Sequence, residues 1–147
     1  MKQIQALILL GISLLPVGCG SGPPNAINGN WTAALTASGT VVPTILGFTV
    51  TMNATGGNNL NVTTLSFTTS TPCFASFATG SFTVSANSNG FTSGGFQMTI
   101  QPASSSDVLN LQGTVSNNMI TGNWTLSGAT PGCDGSGNFT MNKDSGG

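Results

Sequence analysis

The stretch TILGFTVTMNATGGNNLNVTTLSF, Thr44 to Phe67, decides how this chain folds. Leu46, Phe48, Val50 and Met52 alternate with Gly47, Thr49, Thr51 and Asn53. Successive side chains of a strand point to opposite faces, so this half reads as a strand with one apolar and one polar face. Gly56-Gly57-Asn58-Asn59 follows. Gly and Asn tolerate the positive φ that a tight hairpin demands. The alternation resumes at Leu60 and Val62, then slips in phase before Leu65 and Phe67. The slip falls at Thr63-Thr64 and predicts a β-bulge there.

Working outward, the same period recurs on both sides. Trp31, Ala33 and Leu35 precede the hairpin. Phe82 and Val84 follow it, then Phe96, Met98 and Ile100, then Leu109, Leu111 and Val115. Ile120, Trp124 and Leu126 form a seventh segment, and Phe139 and Met141 an eighth. Turn formers lie between them at Asn87 to Gly90, Ser104 to Asp107 and Ser116 to Asn118. No segment carries a convincing helical period. The pattern predicts an all-β fold, an antiparallel eight-stranded up-and-down meander barrel over residues 29–142, with a β-sandwich as the alternative. Residues 19–28 read as a flexible tether and 143–147 as a disordered tail.

Composition narrows the function. After residue 18 the only ionised side chains are Asp107, Asp134, Lys143 and Asp144; Glu, Arg, His and Tyr are absent there. So neutral a chain has no electrostatic footprint for nucleic acid, and no polybasic patch for a membrane surface. Ser, Thr, Asn and Gly must supply the solubility. Eight Phe and two Trp, placed in register with the alternation, argue against disorder.

The chain opens MKQIQALILLGISLLPVGC. Lys2 and a mostly apolar run from Ile4 to Leu15 suit a signal peptide and are too short to span a bilayer, which needs about 20 residues. Small residues follow, from Gly18 to Gly22. This leader resembles the lipobox of bacterial lipoproteins. Gly18 and Cys19 match its last two positions, with Leu15 one place ahead of the family's leucine. The resemblance implies a signal peptide over residues 1–18, acylation of Cys19 and a membrane anchor made of lipid. Gly20 after the cysteine makes the outer membrane of the cell envelope the expected location.

With Cys19 taken by lipid, Cys73 and Cys133 remain. An even pair in an exported chain reads as a disulfide. Strand parity permits it. In a meander, all odd-to-even connections share one end, and Cys73 and Cys133 lie in the third-to-fourth and seventh-to-eighth. That distal end, opposite the tether, also collects Phe74, Phe77, Asp107 and Asp134.

The tetrapeptide GNWT occurs at Gly29 to Thr32 and again at Gly122 to Thr125. At the head of the first strand, Gly29-Asn30-Trp31 is similar to the G-x-W signature of lipocalins and avidins. The chain thus looks like a small barrel of that calycin-like group, and the resemblance implies that Trp31 plugs the proximal end. The avidin ligand set includes a Tyr that this chain lacks, so no biotin site is carried over.

The inventory leaves little for catalysis. His and Tyr are absent, and no base stands ready to activate a serine. Asp107 and Asp134 form a conceivable carboxylate pair, but loop aspartates ordinarily cap backbone amides. Asp134 to Asn138 carries too few carboxylates for a calcium loop. No catalytic, metal or cofactor site is expected. Five N-x-T triplets, at Asn30, Asn53, Asn61, Asn123 and Asn138, read as a product of Asn/Thr-rich strands. The leading reading is a non-catalytic, lipid-anchored envelope protein whose barrel binds a small apolar ligand through residues such as Trp31, Trp124, Phe74, Phe77, Asp107 and Asp134. A structural surface protein without a pocket and an integral outer-membrane barrel are the alternatives.

Overall fold

A computed structural model describes residues 27–38, 44–55, 59–68, 74, 82–87, 95–103 and 105–146. The fold is all-β. The strands are β1 (Gly29–Ala37), β2 (Thr44–Ala54), β3 (Asn59–Phe67), β4 (Phe82–Asn87), β5 (Gly95–Pro102), β6 (Val108–Ser116), β7 (Met119–Ser127) and β8 (Gly135–Lys143). They form one antiparallel sheet in sequence order, not the two sheets of a sandwich. The sheet curls until β8 pairs with β1, from Trp31↔Lys143 to Ala37↔Gly137.

The ladders are unequal. β6 and β7 pair along their whole length, from Val108↔Ser127 to Ser116↔Met119. Among the described residues, β3 and β4 pair through Asn59↔Asn87 and Leu60↔Ala86. Among the described residues, the β3–β4 ladder is thus the shortest of the eight in this curled sheet. Local alternation carries no information about how tightly two strands meet.

The hairpin that opens the sequence reading folds as its pattern dictates. Thr51 pairs with Thr64 and Met52 with Val62, which leaves Thr63 as the extra residue of a bulge. In the β6–β7 turn, Asn117 adopts φ 53°, the left-handed conformation asparagine tolerates.

The two faces of the wall differ sharply. Inward lie Trp31, Leu35, Phe48, Met52, Phe96, Ile100, Leu109, Ile120, Phe139 and Met141, all buried. Outward, Asn110, Thr125 and Ser136 form one row across β6, β7 and β8, and Gln112, Asn123 and Asn138 another. The N-x-T triplets follow from this pleat. In four of the five the central residues, Trp31, Val62, Trp124 and Phe139, face inward while Asn30, Asn61, Asn123 and Asn138 are exposed; in the fifth, Ala54 packs against the core and Asn53 is half-buried.

Both chain ends extend the fold beyond its expected bounds. Ile27, assigned to the tether, is fully buried under Trp31. Asn28 Oδ1 accepts the Ala54 amide at 2.7 Å. Lys143, assigned to the tail, ends β8. The Asp144 amide donates to the Asn30 carbonyl at 2.9 Å, and its carboxylate accepts the Thr32 hydroxyl at 2.9 Å. The short polar residues that suggested loose ends serve here as hydrogen-bond partners.

Candidate functional site

The two tryptophans brace opposite ends of the interior. Trp31 sits at the start of β1 and its indole N–H donates to the Ile27 carbonyl at 2.8 Å. This buries a large apolar ring without stranding its donor. Trp124 lies near the distal end of β7, two residues into the second GNWT's strand interior rather than at a strand start. Its indole N–H crosses β8 to donate to the Thr36 carbonyl on β1 at 2.8 Å. The crossing is permitted by Gly137, which pairs with Trp124. A Cβ at Gly137 would overlap the Thr36 carbonyl oxygen and stand 2.7 Å from Trp124 Nε1. The DGSG run that weakly suggested a cation loop is thus partly a slot for an indole.

A second glycine shapes the middle layer. Phe96 on β5 pairs with Gly113, Gly113 with Gly122, and Gly122 with Phe139 on β8. A Cβ at Gly113 would lie 2.9 Å from Phe139 Cζ. The rings of Phe96 and Phe139 therefore lean across two intervening strands to a centroid separation of 6.4 Å. Near the distal end, Phe48 tilts against Phe67 at 5.6 Å and Phe67 stacks on Phe74 at 4.8 Å. Phe74 is fully buried. Trp31, Trp124 and Phe74, considered for ligand binding, all belong to the buried core cluster. Phe77, Cys73 and Cys19 lie outside the described residues.

The distal aspartates have different roles. Asp107 is 1% exposed. One carboxylate oxygen accepts the Ser105 hydroxyl at 2.6 Å and the other accepts the Thr130 amide at 3.2 Å. The Ser105 hydroxyl in turn accepts the Asp107 amide at 3.0 Å. These bonds, first that from Ser105 and then those from Thr130, hold the carboxyl below its ordinary value against the opposing effect of burial. Asp107 therefore clamps the β5–β6 connection to the β7–β8 connection. Asp134 is exposed. With one carboxylate saturated inside and the other facing solvent, the two do not share an environment that would split an acid from a base.

Two cavities bounded by described residues open on the outer wall. One, of about 310 Å³, is lined by Asn30, Thr49, Val50, Thr51, Thr64 and Asp144. Within it the Thr51 hydroxyl bonds Asn30 Oδ1 at 2.7 Å and Thr64 Oγ1 at 2.6 Å. The other, of about 260 Å³, lies among Gln97, Thr99, Asn110, Leu111 and Gln112. Sequence reasoning passed over this polar wall because its residues were read as mere solubilising surface. The repeated N-x-T triplets were its visible signal. Its amides and hydroxyls can exchange hydrogen bonds with uncharged polar groups. Among the described residues, no group of three His, Cys, Asp or Glu side chains is placed to hold a metal ion.

No protein-family model matches the chain, and no curated protein matches it.

Proposed function

We propose that this protein is a lipid-anchored lipoprotein of the cell envelope, joined to the outer membrane through acylated Cys19, with a non-catalytic barrel standing in water. The observation that carries this reading is the segregation of the wall: apolar side chains inward, Thr, Asn, Gln and Ser outward. An integral outer-membrane barrel needs the reverse, an apolar outer band about 25 Å tall. The leader ending in Gly18-Cys19 supplies the anchor.

The finer fold belongs to the same reading. Strand order and the position of Trp31 at the proximal mouth support a calycin-like barrel. A bridge between Cys73 and Cys133 would lock its distal end. Cys133 is fully buried, and Phe74, next to Cys73 in sequence, lies in the same core cluster.

Intact-mass analysis of the full chain recovered from its host tests the proposal. The expected mass is that of residues 19–147 plus acyl chains, and Cys19→Ser should lose the acyl mass and leave the membrane fraction. An unacylated mass for the parent chain would overturn it.

A further inference from the structure

Two hydrogen bonds on the outer wall have the same form. The Thr51 hydroxyl on β2 donates to Asn30 Oδ1 on β1 at 2.7 Å, and the Thr99 hydroxyl on β5 donates to Asn110 Oδ1 on β6 at 2.9 Å. Each pair sits directly across its ladder, and each lines one of the two wall cavities. In both, the bond occupies the amide oxygen and leaves the NH2 group of the asparagine, with its two donors, for a partner outside the wall.

The cavity at Asn30 is the more elaborate. Thr51 has one hydroxyl proton, and Asn30 takes it. The 2.6 Å bond between the Thr51 and Thr64 hydroxyls therefore runs from Thr64 to Thr51. The relay has a single direction, and it leaves Thr64 Oγ1 as an acceptor beside the Asn30 donors. Asp144 lines the same cavity. Its backbone amide donates to the Asn30 carbonyl and one carboxylate oxygen accepts the Thr32 hydroxyl, which fixes the side chain against β1. The other carboxylate oxygen has no protein partner among the described residues.

This mixture of groups selects a ligand. A cation would meet the N–H donors of Asn30, and an anion would meet the carboxylate of Asp144. A peptide would find no pocket for a side chain, since the apolar lining residue, Val50, is itself buried in the wall. A hydroxyl carries donor and acceptor on one oxygen. One hydroxyl of a vicinal pair can donate to Asp144 while its neighbour accepts from Asn30. The cavity, about 310 Å³, is at the small end of small-molecule sites and suits one sugar ring. We propose that Asn30, Thr51, Thr64 and Asp144 form a binding site for an uncharged saccharide, held through a vicinal diol. The site rests on the reading that this wall faces water, and it is independent of acylation at Cys19.

The test is an amide NMR titration of the isotope-labelled full chain, held in a polyoxyethylene detergent that carries no sugar. The probes are maltohexaose and a β-linked mannohexaose, whose free vicinal hydroxyls are trans in the first and cis in the second. The side-chain amide signal of Asn30 should shift saturably with at least one probe, at a dissociation constant of about 1–10 mM. Asp144→Ala removes the charged acceptor and should raise that constant by about tenfold or more. Thr51→Val keeps the strand and releases the Asn30 amide, and should raise it about fivefold. Asn110→Ala, in the cavity without a carboxylate, should bind like the parent. The backbone amides in the same spectra show whether each variant is folded. No saturable shift at Asn30 with either probe, or binding that folded Asp144→Ala retains in full, overturns the proposal.

Discussion

Gly137→Ala tests the indole slot. The substitution adds one methyl group to a strand residue, a change that on its own favours folding by about 0.4–1 kcal/mol because the unfolded chain loses freedom. The structure predicts the opposite sign. The new Cβ would occupy the position of the Thr36 carbonyl oxygen and crowd Trp124 Nε1 at 2.7 Å. Overpacking of this kind costs about 1–3 kcal/mol. Loss of the Trp124–Thr36 hydrogen bond removes about 0.5–1.5 kcal/mol more. The net expectation is destabilisation by about 0.5–4 kcal/mol after the unfolded-state gain is subtracted. Urea denaturation followed by tryptophan fluorescence measures it. In a Trp124→Phe background the cost should fall by about 0.5 kcal/mol or more, since part of the clash is gone. A neutral or stabilising Gly137→Ala would refute the slot.

Other changes have equally definite outcomes. Asp107 binds its proton less readily in the folded chain than in the unfolded one, so its contribution is present above its ordinary value of 3.8 and drains as pH falls below it. Asp107→Asn should lower stability at neutral pH and flatten the acid limb of a melting-temperature profile; an unchanged acid limb would contradict the clamp. Trp31→Phe strands the buried Ile27 carbonyl and should cost about 1–3 kcal/mol by urea titration. Cys73→Ser and Cys133→Ser should each cost about 4 kcal/mol under non-reducing conditions, the chain-entropy value for a loop of about 60 residues. Unequal effects would separate the two cysteines.

The parts legible in the sequence are those with local causes. Period-two runs such as Leu46 to Met52 announce strands, and the one-place slip before Leu65 announces the bulge that the Thr51↔Thr64 and Met52↔Val62 pairs display. The illegible parts arise between segments distant in the chain. Nothing near Gly137 reveals that an indole from β7 must cross it to reach β1. Asp107 looks like a turn residue, and it caps an amide, but that amide belongs to Thr130 of another connection. Ile27 and Asp144 carry too little local pattern to be assigned to the fold, yet each is held by a β1 residue. The shortness of the β3–β4 ladder among the described residues depends on how the sheet curls, which alternation leaves unspecified.

The most direct measurement of the central claim is acrylamide quenching of Trp31 and Trp124 in a chain beginning at Gly20, kept in plain buffer. A wall with its apolar face inward predicts a chain that stays dispersed without detergent and indoles that are protected until urea unfolds it. A chain that disperses only in detergent, or indoles quenched as readily before unfolding as after, would contradict it.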